Sequence, residues 1–255
     1  MVSVQEIYRW LDTWAPFATQ LGFDNAGLLV GSDGQQVQKI GLALDITAGT
    51  AAQAAAQGCE LVVSHHPVIF TPLRALSGDT PAYRLARAGI AAICAHTNLD
   101  AAAGGVNDAL AAALGLTDCV PLADPGTPAK PPLARMGGCS PCTAGELALH
   151  VKAALGCGGV KYVPCGGEIT RVAVCGGAGG DFIAPAAQAG AQALVTGECR
   201  HHERLLAEQL GLSVIEAGHF CTERVVLPVL QDRLRAAFPA VEVLLLEEED
   251  CARYC

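Results

Sequence analysis

The sequence predicts an α/β protein made of two similar lobes with mainly parallel βαβ units that face a central cleft. Three observations support this class. Short apolar runs typical of buried strands alternate with helical segments. Several helical segments end at a glycine. An apolar strand that runs into a His pair occurs in each half, as ELVVSHH (60–66) and QALVTGECRHH (192–202), which suggests that the halves resemble each other.

The first half predicts a helix followed by alternating strands and helices. Residues 4–14 have helical apolar spacing at Ile7, Trp10, Leu11 and Trp14. The next elements, beginning with a strand, are KIGLALDIT (39–47), AGTAAQAAAQG (48–58), ELVVSHH (60–66), PAYRLARAG (81–89) and IAAICAHTNLD (90–100), and a helix follows in GGVNDALAAALGL (104–116). This order is typical of parallel βαβ units.

A segment rich in Pro and Gly, residues 121–142, has the composition of a linker. We therefore expect a first lobe at 1–125 and a second at 126–255, whose C-terminal helix packs back on the first. The second lobe begins with a helix at 143–156 that Thr143 and Glu146 cap. The remaining elements, beginning with a strand, are RVAVCGG (171–177), DFIAPAAQAG (181–190), QALVTGE (192–198), HHERLLAEQLG (201–211), LSVIEAG (212–218) and a long helix over 222–238.

Composition disfavours several classes of protein. A net charge of −9 without a basic run disfavours nucleic acid as a partner. No apolar stretch reaches the roughly 18 residues of a membrane helix, and the first residues lack the features of a signal peptide. We therefore expect no membrane association and a cytoplasmic protein with reduced cysteines. The acidic tail, LLLEEEDCARYC (244–255), is interpreted as a solvated end.

Polar side chains follow four predicted strands. In parallel sheets, ligands bind beyond the carboxyl ends of the strands. The residues at these ends are His65 and His66, His96 and Asp100, His201 and His202, and His219 and Glu223. Six of the seven histidines are in this set, which favours a metal site over structural histidines, whereas His150 is given no role.

The spacing of these residues indicates how metal would bind. His219 and Glu223 are four residues apart, so both project from one face of a helical turn. His65 and His66 are adjacent in a loop, and each is expected to serve one of two neighbouring ions. Imidazole and carboxylate ligands suit Zn, Fe, Mn or Co, and Asp100 or Glu223 is suited to bridge two ions.

Other motifs carry weaker signals. GGAGGD (176–181) lacks the Lys of a phosphate-binding P-loop, and GGVND (104–108) is either an anion site or a tight turn. Asp24, in DNAG, is either a cleft residue or a turn residue, and the turn is preferred. The CSPC pair (139–142) alone does not predict a structural zinc site.

With these residues established, the chain resembles the GTP cyclohydrolase 1 type 2 family, also called the Nif-three-like family. The motifs that match in order are FDNAGLLVG, SHHPVIF, AHTNLDAAAGGVNDALAAALGL, TGE with the following HH, and GHFCTE. The resemblance implies two divalent metal ions held by His65, His66, Asp100, His219 and Glu223, with His96 nearby. It also implies a toroidal homohexamer, a trimer of dimers, with the metals facing an inner cavity. The family usually has Asp where this chain has Glu198, which is expected to alter a contact behind the ligands.

The leading functional hypothesis is a dinuclear metal-dependent hydrolase that acts on a nucleotide or related small molecule, with GTP as the candidate. His96 or His201 would transfer protons, and Arg200 and Arg204 are candidates to hold the triphosphate. The alternative is a protein that stores, inserts or senses metal and acts through protein partners. A DNA-associated regulator is disfavoured by the charge.

Overall fold

The computed structural model describes residues 2–78, 80–122 and 132–254. The chain divides into two compact units. The first comprises residues 1–103 and 227–249, and the second comprises 104–226 and 250–255. Among the described residues, no helix has both the length and the apolar character needed to cross a membrane.

The first unit is built on a five-stranded sheet in the order β13-β4-β5-β6-β2. Its strands are β1 (Val2–Ser3), β2 (Gly27–Val30), β3 (Gln36–Val37), β4 (Lys39–Ala43), β5 (Leu61–Ser64), β6 (Ala91–Cys94) and β13 (Glu242–Leu245). Its helices are α1 (Val4–Trp14), α2 (Ala48–Ala56), α3 (Pro81–Ala88), α4 (Thr97–Ala101) and α10 (Val226–Ala237). β13, β4, β5 and β6 are parallel, β2 is antiparallel to β6, and β1 and β3 form a separate antiparallel pair.

The second unit has a six-stranded sheet in the order β7-β8-β10-β11-β12-β9. Its strands are β7 (Thr117–Leu122), β8 (Ala134–Cys142), β9 (Lys161–Val163), β10 (Ile169–Cys175), β11 (Ala193–Thr196) and β12 (Ser213–Glu216). Its helices are α5 (Val106–Ala113), α6 (Ala144–Leu155), α7 (Ile183–Gln188), α8 (His201–Leu210) and α9 (His219–Glu223). β10, β11 and β12 are parallel, and the flanking strands are antiparallel.

The first unit's sheet therefore contains four adjacent parallel strands and the second unit's sheet contains three. All four residues of β5, β6, β11 and β12 are buried, as expected for parallel strands covered on both faces. Their side chains divide between clusters on the two faces: Leu61 and Val63 of β5 lie in one cluster, and Val62 lies in another. The predicted α/β class with parallel strands is confirmed.

Local sequence explains where helices begin and end. At the start of α6, the Thr143 hydroxyl accepts a hydrogen bond from Glu146 N, and the Glu146 carboxylate accepts one from Thr143 N at 2.8 Å. This is the predicted capping box. α6 ends at Gly156, whose φ of 65° lies in the left-handed region that glycine adopts without a steric penalty.

Four details of the prediction differ from the structure. The segment predicted as a linker contributes β8, because pairing with β7 and β10 outweighs its poor strand propensity. The single helix predicted over 222–238 is interrupted at Arg224 and Val225 between α9 and α10. Glu242–Leu245, which include the first two residues of the acidic tail, form strand β13 beside β4. The predicted lobe boundary at 125 lies outside the described residues, and α5 and β7 already belong to the second unit.

Candidate metal centre

His65 and His66 directly follow β5 and continue its backbone pairing. His65 N donates to Ala43 O at 3.2 Å, and His66 N donates to Leu44 O at 2.8 Å. On the other side, the Cys94 thiol donates to His65 O at 2.9 Å. The neighbouring strands β4 and β6 therefore fix the backbone of the His pair.

Both rings are oriented through Nδ1. His65 Nδ1 lies 3.0 Å from Ala95 O, and His66 Nδ1 lies 2.9 Å from Asp45 Oδ1. A carbonyl and a carboxylate only accept hydrogen bonds, so each Nδ1 carries the proton. In this tautomer, Nε2 has the lone pair that a metal ion requires. Both Nε2 atoms are buried.

His96 follows β6 and is oriented by Asp24. His96 Nδ1 lies 2.7 Å from Asp24 Oδ1, while Asp24 Oδ2 accepts hydrogen bonds from Thr97 N at 3.0 Å and Thr97 Oγ1 at 2.5 Å. Burial would raise the pKa of the Asp24 carboxyl, but the hydrogen bonds from His96 and Thr97 outweigh burial and lower its pKa to about 2. Asp24 therefore does more than form the turn preferred from sequence.

The three imidazoles form one cluster. Ring centroids are 4.9 Å apart for His65 and His66, 5.2 Å for His65 and His96, and 5.5 Å for His66 and His96. One ligand nitrogen from each lies within 4.8 Å of the others. Asp100 adds a carboxylate, with Oδ1 at 3.6 Å from His65 Nε2. These distances admit one ion, or two ions about 3.5–4 Å apart.

Glu248 holds the backbone segment that orients His66. The Glu248 carboxylate accepts hydrogen bonds from Leu44 N at 2.6 Å and Asp45 N at 2.8 Å. It thereby fixes the backbone at Asp45, whose side chain holds His66. Burial raises the pKa of Glu248 despite these two hydrogen bonds. The acidic tail, interpreted from sequence as a solvated end, thus contributes a structural carboxylate.

In the second unit, His219 and Glu223 begin and end α9. His219 Nε2 lies 3.1 Å from Glu223 Oε2, so the predicted pairing across one helical turn is present. His219 Nδ1 lies 3.0 Å from Glu198 Oε1. Glu198, where the resemblance implies Asp, reaches the imidazole with its longer side chain.

The glycine loop after β10 packs against this pair. Gly177 has a φ of 63°, and a Cβ at this position would collide with Glu223 Oε1 and lie 3.1 Å from His219 Nε2. Gly176 N donates to the buried Asn107 Oδ1 at 2.8 Å. Both glycine-rich motifs, GGAGGD and GGVND, therefore shape the surroundings of His219 and Glu223.

The two units use the same local arrangement. In each, a strand of the parallel sheet leads into a five-residue helix, with a His at the start and an acid four residues later, as H-T-N-L-D (96–100) and H-F-C-T-E (219–223). His96 directly precedes its helix, and His219 is the first residue of its own. In each, Nδ1 of that His contacts a carboxylate from another segment. This likeness is more detailed than the one between the His pairs that the sequence suggested.

Other predicted residues lie elsewhere. His201 and His202 are exposed on the first turn of α8, and no metal-ligand group within the described ranges includes them. Arg204 forms an ion pair with Glu216, with Nε at 2.5 Å from Oε1. Its guanidinium therefore stabilises the fold and is not placed to bind a triphosphate. Arg200 is 72% exposed. His150, given no role, lies with Nε2 3.0 Å from Leu114 O.

Comparison with known proteins places this arrangement in a family. Residues 2–251 match the family model described as Duf34/NIF3 (NGG1p interacting factor 3). The chain belongs to this family. The resemblance inferred from the motifs is therefore confirmed, and the Duf34/NIF3 match spans both units.

Individual relatives of this Duf34/NIF3 chain support the same family. A Lactococcus lactis protein named GTP cyclohydrolase 1 type 2 homolog is 32% identical, over 89% of each chain. A Helicobacter pylori protein named GTP cyclohydrolase 1 type 2 is 31% identical, over 88% of each. The crystal structure of a Staphylococcus aureus hypothetical protein, SA1388, is similar with a TM-score of 0.90 and 26% identity, over 99% of each chain.

Proposed function

We propose that this chain is a metal-dependent hydrolase that uses two divalent ions and acts on a nucleotide or related small molecule. The observation that carries the proposal is the cluster of His65, His66 and His96, whose ligand nitrogens converge within 4.8 Å. Because acceptors hold the Nδ1 atoms of His65 and His66, Nε2 is the nitrogen that each of these rings would offer to metal.

We propose that the ligands are His65, His66, Asp100, His219 and Glu223. This set offers imidazoles and carboxylates without thiolates, which suits Zn, Fe, Mn or Co. His65 and Glu223 are buried, where a metal ion would compensate the cost of placing polar atoms away from water. When bound, the ions would supply Lewis acidity to hydrolysis.

His96 is the proposed proton carrier. The ionised Asp24 fixes its tautomer and would stabilise the imidazolium that forms when Nε2 accepts a proton. The side chain of His96 remains 15% exposed, so it can exchange protons with solvent. His201, the other candidate, stays a prediction that rests on its position after a parallel strand.

Two aromatic side chains beside the cluster favour a substrate with a planar ring. Phe23 and Phe70 are 64% and 49% exposed, and their ring centroids are 6.4 Å apart. Phe70 lies 6.4 Å from His96, and a hydrogen bond of 2.6 Å from Asn25 Nδ2 to Ile69 O joins the two loops. Exposed rings of this kind stack on nucleobases, and the relatives' names support GTP as the first substrate to test.

The decisive experiment is a substrate screen with metal-loaded protein. GTP is tested first, and its turnover is followed by the appearance of the ring-opened product. We expect turnover by the wild type, loss of turnover in His65→Ala and wild-type turnover in His150→Ala. No turnover of any nucleotide, or equal turnover in His65→Ala, would refute the hydrolase.

The alternative is a protein that stores, inserts or senses metal. It is favoured by the exposure of His219 and of the Glu198 carboxylate that contacts it, since the His219 side chain is 39% exposed and that of Glu198 is 61% exposed. Isotope exchange of the bound metal distinguishes the two functions. Release within seconds favours metal handling, whereas retention through many turnovers favours catalysis.

The assembly is proposed from the resemblance, and the location from the composition of the sequence. We expect a cytoplasmic homohexamer, arranged as a trimer of dimers. Light scattering coupled to size-exclusion chromatography measures the assembly directly, and a monomeric mass would contradict the hexamer.

A further inference from the structure

The segment CSPC at the end of β8 brings two thiols together. In a regular strand, residues three apart point to opposite faces and lie about 10 Å apart along the chain. Cys139 and Cys142 have this spacing, yet their Sγ atoms lie 3.7 Å and 3.8 Å from the same oxygen, Ile169 O. A local irregularity of the strand must therefore bring them to one side.

The pairing of β8 with β10 shows that irregularity. Gly138 pairs with Arg171 and Cys142 pairs with Ile169, so β8 advances four residues while β10 advances two. The two extra residues form a bulge, which redirects side chains and leaves backbone unpaired. Pro141, within the bulge, lacks the N–H that a regular ladder would use.

The contact between the thiols has an electrostatic consequence. Burial, together with the charge and hydrogen bond of the neighbouring Cys142, raises the pKa of Cys139 to about 11. Both cysteines are partly exposed, so a small reagent can reach them. Within the described ranges, no metal-ligand group contains a cysteine.

We propose that Cys139 and Cys142 are a thiol-modification site that closes to an intramolecular disulfide by exchange with a low-molecular-weight disulfide such as glutathione disulfide. One thiolate attacks a sulfur of glutathione disulfide, forms a mixed disulfide and releases one glutathione thiolate. The second thiolate attacks the protein sulfur of the mixed disulfide and releases the other glutathione. The protein loses two electrons and two protons, and the glutathione disulfide gains them.

Closure is favoured over a stable mixed disulfide because the second thiol is held beside the first. Convergence on one carbonyl raises its effective concentration far above that of a free thiol. The raised pKa of Cys139 predicts faster closure as the pH increases, since only thiolates attack.

The test incubates the full-length protein in glutathione disulfide, alkylates the remaining thiols and maps peptides by mass spectrometry. We expect a peptide with an internal bond between Cys139 and Cys142. Cys139→Ser should instead accumulate glutathione on Cys142, and Cys142→Ser should accumulate it on Cys139. Cys119→Ser, which removes an exposed thiol of β7, should form the disulfide between Cys139 and Cys142 to the same extent as the wild type.

Peptide mapping also separates this site from the buried Cys157 and Cys221, whose side chains hydrogen-bond each other. Full alkylation of Cys139 and Cys142 in folded wild type after exchange, or a mixed disulfide that persists there in the wild type, would overturn the proposal. Phenylarsine oxide gives a second measurement, because it binds two adjacent thiols with loss of water. We expect phenylarsine oxide to bind this site in the wild type but not in Cys139→Ser or Cys142→Ser. Equal binding by the wild type and the two variants would overturn the proposal.

Discussion

Asp24 Oδ1 lies 2.7 Å from His96 Nδ1, although the two residues are 72 positions apart in the sequence. The side chain of Asp24 is fully buried, and both of its oxygens are used. Asp24 is therefore a positioning residue for the proposed proton carrier.

Asp24→Asn should lower kcat about 10- to 100-fold, since residues behind a metal site have effects of this size. The amide no longer stabilises an imidazolium at His96, so the pH profile of kcat should shift as well. Steady-state kinetics across pH measures both effects. A variant with reduced stability but an unchanged pH profile would show that Asp24 is only structural.

Gly177→Ala should weaken metal binding by at least about tenfold. The added Cβ collides with the Glu223 carboxylate, and the φ of 63° also disfavours alanine. Gly190→Ala is the matched control, because its φ is 82° and a Cβ there meets nothing within 4 Å. Titration calorimetry with Mn²⁺ or Zn²⁺ compares the variants, and equal affinities would exclude a role for Gly177 in the site.

Phe70→Ala should raise KM for a nucleotide about 5- to 150-fold, corresponding to about 1–3 kcal/mol for stacking on one base. Phe70→Tyr keeps a ring and should keep KM near the wild-type value. Leu149→Ala removes a 69% exposed side chain on α6 and serves as the control. An unchanged KM in Phe70→Ala would place the base elsewhere.

Arg204→Met should lower the free energy of unfolding at neutral pH by about 2 kcal/mol, less than for fully buried pairs because the Arg204 side chain is 24% exposed. Burial raises the pKa of Glu216, but hydrogen bonds from Arg204 and Cys199 N outweigh it and hold the pKa below 4.5.

A depressed pKa stabilises the folded state above the unfolded value and loses that contribution as pH falls through the folded value. Wild-type stability should therefore fall on acidification below pH 4.5, and Arg204→Met should show a smaller fall. Arg200→Met, at 72% exposure, should change stability by at most about 0.5 kcal/mol. Urea unfolding across pH measures these differences, and parallel curves for wild type and Arg204→Met would contradict the ion pair's role.

The central parallel strands were predictable because their residues are apolar on both faces. The apolar runs before His65 and His96 are uninterrupted and end at polar residues, so both these strands and their candidate ligands could be located. Strand β8 could not be predicted, since its Gly and Pro residues disfavour a strand in isolation and only pairing on both sides stabilises it.

The carboxylates that hold the histidine rings in place were not identified from the sequence. Asp45 and Glu248 are separated by 203 positions, and neither has a local motif that links it to His66. Asp24 resembled an ordinary turn residue, because its partner His96 is distant in sequence. Such contacts depend on tertiary packing, so one sequence without structure does not reveal them.

The most direct test of the metal centre is elemental analysis of protein purified without a chelating resin. We expect two transition-metal ions per chain in the wild type and in His150→Ala, and one or none in His66→Ala and Glu223→Gln at unchanged folding by circular dichroism. A wild type without metal after incubation with Zn²⁺, Fe²⁺, Mn²⁺ and Co²⁺, or variants with the full metal content, would contradict the proposed site.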